Sequence, residues 1–333
     1  WDPVNMERSS RAIISRSIFH EIKAGKTSPH GGVYTNIIHQ PKSYIDEKLA
    51  EFAESHTFVR FDKAGIDLHN DSIETGYAMH YCQGGCDINT RCETDLPGLY
   101  AIGEVSSGGD GADRMTANSL PFCMCMGIIG GGEAADKASK TPMPEVDPEA
   151  VRGLVARALA PLQRPPGTRV ASVRPPLQEI MAKETEYGRT EAGLKAALAE
   201  VKRYQKEVLP RLFVPNRQPR LNAEWLSVLE MENMVLVAEC IIRNAMLRTE
   251  SRGLHDRLDY PDPSPDWFRN IHLRLADGKL KQWTVPVEFT YYRPEPGSLG
   301  EPLKKSVPVK EYRGWRAEPI YKVPKLARHG ALS

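Results

Sequence analysis

The stretch 80–120 constrains this chain more than any other. Seven glycines (84, 85, 98, 103, 108, 109 and 111) divide it into short pieces, so any strand here is brief and ends in a turn. The segment 98–103 reads as a buried strand ending at such a turn. A Gly/Ser/Asp loop, 106–113, then leads through Asn118 and Ser119 into an apolar helix expected to run to about Lys137. A strand, a glycine turn and a helix start in that order aim free N–H groups and the positive end of a helix dipole at one place. Gly103 and Glu104 bring backbone and a carboxylate against a ligand hydroxyl, while His80 and Arg114 are of the right type to converge on a carboxylate. The residues alone point to a buried anionic or electron-rich ligand and do not name it.

The flanking regions differ in character. Residues 1–62 read as α+β: an apolar stripe (Ile13, Ile14, Ile18, Phe19, Ile22) predicts a helix over 8–23 stopped by Gly25, followed by a strand at 32–38 and a helix at 43–54. A proline-rich linker, 141–148, precedes a helical region. There helices are expected at 149–162, 175–208 and 222–252, the last capped by Asn222, stopped by Gly253, and buried through Met234, Val235, Ala238, Ile241, Ile242 and Ala245. From Asp259 onward prolines recur around β-prone runs at 284–285 and 287–292, predicting a small β-containing domain with an extended tail.

Charge excludes some functions. With 44 Lys+Arg against 43 Asp+Glu, the chain carries no concentrated basic face for nucleic acid. Its longest apolar run, 120–132, is too short to span a bilayer. Six cysteines in 333 residues without a regular framework fit a reducing, cytoplasmic compartment. The spacings among Cys82, Cys86, Cys92, Cys123 and Cys125 match no familiar ligand pattern, so no metal site is expected. Trp1 rather than Met opens the chain, which reads as a processed, split or trimmed segment.

Four motifs stand in order: H-Y-x-x-G-G at 80–85, P-G-L-Y-A-x-G-E at 97–104, a variant of H-G-A-N-R-x-x-x-N-S-L at 110–120, and E-S-R-G-x-H-x-R-x-D at 250–259. Through them the chain resembles the flavoprotein subunits of succinate dehydrogenase and fumarate reductase, a family that includes L-aspartate oxidase. The resemblance covers roughly residues 8–275. It implies an α/β flavoprotein portion (a partial FAD-binding domain and a partial α+β capping domain), a three-helix bundle and a small β-containing C-terminal domain. The corresponding boundaries are 1–62 (capping), 63–140 (FAD-binding), 141–258 (helical) and 259–333 (C-terminal).

The resemblance also implies roles. His80 and Arg114 would hold substrate carboxylates and Arg11 would deliver a proton. Gly84, Gly85, Gly103 and Glu104 would lie on FAD, and Asn118, Ser119 and Leu120 would set a helix N-terminus at the flavin's pyrimidine edge. The implied reaction moves a hydride between flavin N5 and the C=C or CH–CH bond of a dicarboxylate or related unsaturated acid. Electrons would pass to or from an iron–sulfur protein subunit, with membrane contact only through partner subunits at the inner face. No strand–G-x-G-x-x-G–helix unit is present, so a further chain or segment is expected to carry the N-terminal FAD-binding half.

Two other functions compete, an L-aspartate oxidase-like enzyme and a non-catalytic assembly subunit. The latter is motivated by Asp110 and the absent N-terminal half; Asp110 and Asp113 stand where the family pattern has His and Asn, and Ala12 where Asp is frequent, departures that point to an altered substrate or a degenerate site. The bland alternatives are an Arg114 ion pair with Asp110 or Asp113, a satisfied core His80, and a solvated helix-face Arg11.

Overall fold

The computed structural model describes residues 9–51, 61, 63–115 and 117–288. Helix α1 (Arg11–Lys23) starts where the Ser10 hydroxyl accepts the Ile13 N–H and ends before Gly25, which takes φ +77°. Strands β1 (Val33–Thr35) and β2 (Ile73–Thr75) pair antiparallel, with α2 (Lys42–Glu51) between them. The expected end of α2 at residue 54 lies outside the described residues.

The expected strand at 98–103 is not formed. Tyr100 makes only an isolated antiparallel bridge to Glu93, Leu99 is exposed, and the chain turns at once into a 3-10 turn, Gly103–Val105. A ladder needs a neighbouring strand to accept its N–H and C=O groups, and only the Glu93 bridge and a few loop bonds supply one. The expected helix follows as α3 (Ser119–Lys140).

The helical region holds four α-helices rather than three: α4 (Pro148–Gln163), α5 (Val170–Thr185), α6 (Glu191–Arg203) and α7 (Ala223–Leu247). The single helix expected over 175–208 breaks after Thr185. Gly188 takes φ +66° there, and Thr190 restarts the helix by accepting the Gly193 N–H. A π-type turn, Tyr204–Val208, then extends α6. Residues from all four helices, among them Leu162, Leu177, Leu194, Val201, Met231 and Ile242, share one buried core. Asn222 caps α7 as expected, accepting the Trp225 N–H at 3.0 Å. On α7, Val235, Ala238, Ile242 and Ala245 are buried, whereas Ile241 is 39% exposed. The helix ends at Leu247, six residues before Gly253, which serves another purpose described below.

Strands β3 (Arg269–Ala276) and β4 (Lys279–Pro286) form a hairpin closed by Asp277 and Gly278, both at positive φ. The sequence signal at 284–285 falls within β4, but β3 was not anticipated. The expected run 287–292 adds no strand at 287–288, and its remainder and the extended tail lie outside the described residues. His272 on β3 meets Asp87 at 3.1 Å, placing the hairpin against the glycine-rich segment. No helix among the described residues is long and apolar enough to cross a membrane.

Candidate functional site

Two loops lie side by side to build the site. The Cys86 N–H donates to the Val105 carbonyl and the Ser107 N–H to the Cys86 carbonyl, so 80–86 runs along 103–107. Gly85 permits this approach: a Cβ there would sit 2.1 Å from the Val105 oxygen. Gly103, at φ +77°, would drive a Cβ to 2.8 Å from the Cys123 Sγ, so the turn can rest on α3 only as glycine. Glu104 reaches across and accepts the Cys82 N–H at 2.9 Å. Gly84 takes φ +115° with open space around it.

Asn118 precedes α3, but its side chain makes no capping hydrogen bond, and the first turn holds no acidic residue. The N–H groups of this turn therefore keep their partial positive charge uncompensated. Leu120, on the same turn, is 74% exposed.

The three candidate catalytic residues converge. Arg114 is 5% exposed, its guanidinium lies 4.4 Å from the centroid of the Tyr81 ring, and Nη2 is 3.4 Å from His80 Nε2. Arg11 donates to Asp113 Oδ1 and to the Arg114 carbonyl, each at 2.5 Å. Asp113 is thus the partner of Arg11 and not of Arg114, whose remaining side-chain bond goes to the Met115 carbonyl at 3.0 Å. The Gln83 amide clamps the loop, donating to the Ala112 carbonyl (3.1 Å) and accepting the Arg114 N–H (2.7 Å).

Among the described residues the buried Arg114 Nε has no hydrogen-bond partner. Lost hydration, and then a hydrogen bond to the Asp110 carboxylate, push the Tyr81 hydroxyl up to about 12. Tyr81 belongs to the H-Y-x-x-G-G motif, yet sequence reasoning gave it no role. Its stacking on a residue 33 positions away has no local signature.

The motif at 250–259 buttresses the arginine loop from behind. A Cβ on Gly253, at φ +55°, would lie 2.1 Å from the Ala112 oxygen, and the Leu254 N–H donates to that same oxygen. Asp256 accepts from Gly188 N–H (2.8 Å) and lies against His20 (3.2 Å) and Arg16 (3.4 Å) of α1. The motif therefore ties α1, which carries Arg11, to the loop that carries Arg114.

His255 within this motif is held neutral. Burial, and then the Arg189 guanidinium, lower it from 6.5 to about 3, with Nδ1 facing Arg189 Nη1 at 2.5 Å and Nε2–H donating to the Arg248 carbonyl. The folded chain refuses a proton that the unfolded chain takes up below 6.5, so stability falls as pH drops from 6.5 toward about 3. Urea midpoints should decline from pH 7.5 to 5.5, and His255→Gln should flatten that decline.

Comparison with known proteins places this geometry among similar chains. Residues 4–120 match the family described as FAD binding domain, and residues 174–299 the family described as Fumarate reductase flavoprotein C-term. The chain is 30% identical over 306 residues to the fumarate reductase flavoprotein subunit of Mycobacterium tuberculosis, covering 87% of this chain and 51% of that one. It is 33% identical over 264 residues to L-aspartate oxidase of Pseudomonas aeruginosa, covering 78% and 45%. A solved structure of E. coli quinol fumarate reductase superposes with a TM-score of 0.76 at 28% identity, covering 89% of this chain and 51% of that chain. The chain spans about half the length of the curated relatives it matches.

Proposed function

The chain belongs to the fumarate reductase and succinate dehydrogenase flavoprotein family, and from that premise we propose that it forms the substrate side of an FAD-dependent oxidoreductase acting on CH–CH bonds. The observation that carries the reading is the buried Arg114, stacked on Tyr81 and facing His80. The residues present fit FAD. The start of α3 has neither a side-chain cap nor an acid in its first turn, Glu104 is exposed beside it, and Gly84 and Gly108 face open space. Asn118, Ser119 and Leu120 would meet the electron-rich edge of the ring, Gly84, Gly85 and Gly103 its face, and Glu104 a hydroxyl. When bound, FAD supplies or accepts the hydride at N5.

This chain's own groups do the rest. Arg114 binds a substrate carboxylate through a charge-assisted hydrogen bond, and His80, accepting at Nε2 from Arg114, fixes its orientation. Arg11 presents an N–H at the same edge, held by Asp113, and manages the proton on the carbon opposite the hydride. A guanidinium parts with a proton only when transfer is concerted with a relay, for which Asp113 stands ready at 2.5 Å.

In this reading a chain or segment carrying the N-terminal FAD-binding half covers α3. Leu120, Met124 and Ile128, spaced one helical turn apart, are exposed at 74%, 69% and 69% among the described residues, a stripe such a segment would bury. The reading also assigns electron exchange to an iron–sulfur protein, with peripheral membrane contact, at the cytoplasmic face, through partners. It keeps the residue divisions 1–62, 63–140, 141–258 and 259–333. The identity with L-aspartate oxidase supports oxidation of an amino acid at this site as a second reading. Full-length protein should show a flavin absorbance band bleached by succinate or dithionite and restored by fumarate or another unsaturated acid. Protein purified with its partners and devoid of flavin overturns the proposal, and iminoaspartate formed with oxygen selects the second reading.

A further inference from the structure

We propose that Tyr81 and Asp110 are positioning residues for Arg114: Asp110 holds the Tyr81 ring through its hydroxyl, and the face of that ring holds the guanidinium in the orientation a substrate carboxylate meets. The proposal rests on the reading of Arg114 as the carboxylate-binding residue and adds what sets its geometry. Hydrogen bonds alone do not set it. One guanidinium nitrogen donates to the Met115 carbonyl at 3.0 Å, another faces His80 Nε2 at 3.4 Å, and Nε has no partner among the described residues. A single bond of ordinary length leaves a planar fork free to swing about it. The Tyr81 ring, its centroid 4.4 Å from the guanidinium carbon, supplies the missing constraint, because a flat cation over a ring face loses attraction when it tilts away.

The surrounding loops build this contact. Three residues of 80–83 grip the arginine: His80 at Nη2, Tyr81 under the guanidinium, and Gln83, whose side chain accepts the Arg114 N–H. Arg11 donates to the Arg114 carbonyl, so the backbone is held on both sides and the side chain is left for Tyr81 to fix. The phenol is anchored in turn from the arginine's own loop. Its hydroxyl donates to Asp110 and, titrating at about 12, keeps its proton near neutral pH, so the bond is that of a hydroxyl on a carboxylate. Asp110 is itself placed. Gly109 before it lies so close to the Phe122 ring of α3 that a Cβ would clash, and Gly111 after it turns the chain at φ +61°. Carboxylates beside the phenol, Asp110 by its bond and Glu104 by its charge, polarise the ring so that its face attracts a cation more strongly. Asp110 thus has a task in this site, and its departure from the histidine of the family pattern does not by itself mark a degenerate one.

The test is steady-state reduction of fumarate by flavin-loaded full-length protein, with a reduced viologen as electron donor. Tyr81→Leu removes the ring and should raise KM about thirty-fold. It should change kcat less than about three-fold, because a docked carboxylate restores the arginine's geometry. Tyr81→Phe keeps the ring without its anchor, and Asp110→Ala removes the anchor itself, so each should raise KM about five-fold. The double variant should be no worse than the singles, since both cut the same bond. Asp110→Asn keeps an acceptor and should return KM to within about two-fold of the parent. A parent-like KM in Tyr81→Leu overturns the proposal, as do multiplied effects in the double variant, or matching losses in KM and kcat with a lowered melting temperature. Arg114→Ala, run beside them, separates the proposal from the reading beneath it. A raised KM there with Tyr81→Leu unmoved removes only the positioning role. An Arg114→Ala protein with the parent's KM, or a parent that does not turn over fumarate, removes the carboxylate-binding reading and the proposal with it.

Discussion

Replacing Arg114 with alanine should lower kcat/KM of the flavin-loaded protein by about a hundred- to a thousand-fold, with the fold intact. The expectation follows from burial. A guanidinium that is 5% exposed and pairs with no carboxylate among the described residues has been desolvated without receiving a counter-charge from the protein. A ligand carboxylate supplies that charge, and truncating one member of such a pair costs about 2–5 kcal/mol. Arg114→Lys should recover little, because an ammonium neither stacks flat on Tyr81 nor reproduces the planar fork. Among the described residues the side chain makes one bond to backbone, at Met115, so its loss should leave the melting temperature nearly unchanged. Steady-state kinetics with a thermal melt reads both quantities. Unchanged turnover in a correctly assembled protein would favour a non-catalytic assembly subunit instead.

Arg257→Ala should do the opposite, destabilising the fold by about 3–5 kcal/mol because it strips the charge partner from a buried network. Arg257 is fully buried and forks onto Asp259 at 2.7 and 2.8 Å, reaches Glu191 at 3.2 Å, and donates to the Ala245 carbonyl in the last turn of α7. Its guanidinium holds the Asp259 carboxyl down at about 2. One residue thus joins the start of α6, the end of α7 and the loop that backs Ala112. Urea unfolding should show a lower midpoint, and Arg257→Lys should restore only part of it. A midpoint within experimental error of the parent would remove Arg257 from the stabilising network. Glu250 is equally buried, bound by Arg248 and Arg252, and repeats the arrangement toward the hairpin.

The amino-acid sequence determined what is decided within a turn of chain. The Asn222 cap was legible because its oxygen meets an N–H only three residues on. The start of α3, the glycine turn at Gly103 and the family motifs were legible for the same reason. Residue type put His80 and Arg114 forward as candidates and the family resemblance added Arg11, but neither could say which carboxylate each would face. Arg11 finds Asp113 across 102 residues and leaves Arg114 without a carboxylate partner among the described residues, which reverses one of the pairings the sequence allowed.

Other features were decided by tertiary contacts alone. The break at 186–190 interrupts a periodicity that would otherwise continue, and it is held by bonds from Arg189 and Gly188 to residues 255–258. The strand expected at 98–103 failed because a ladder exists only where a partner strand arrives, and helical or β propensity carries no information about that arrival. Gly253 looked like a helix stop but is a contact point for Ala112. Hydrogen bonds that close short loops cost little chain entropy and are written into neighbouring residues, whereas those that close a hundred residues depend on the whole packed chain.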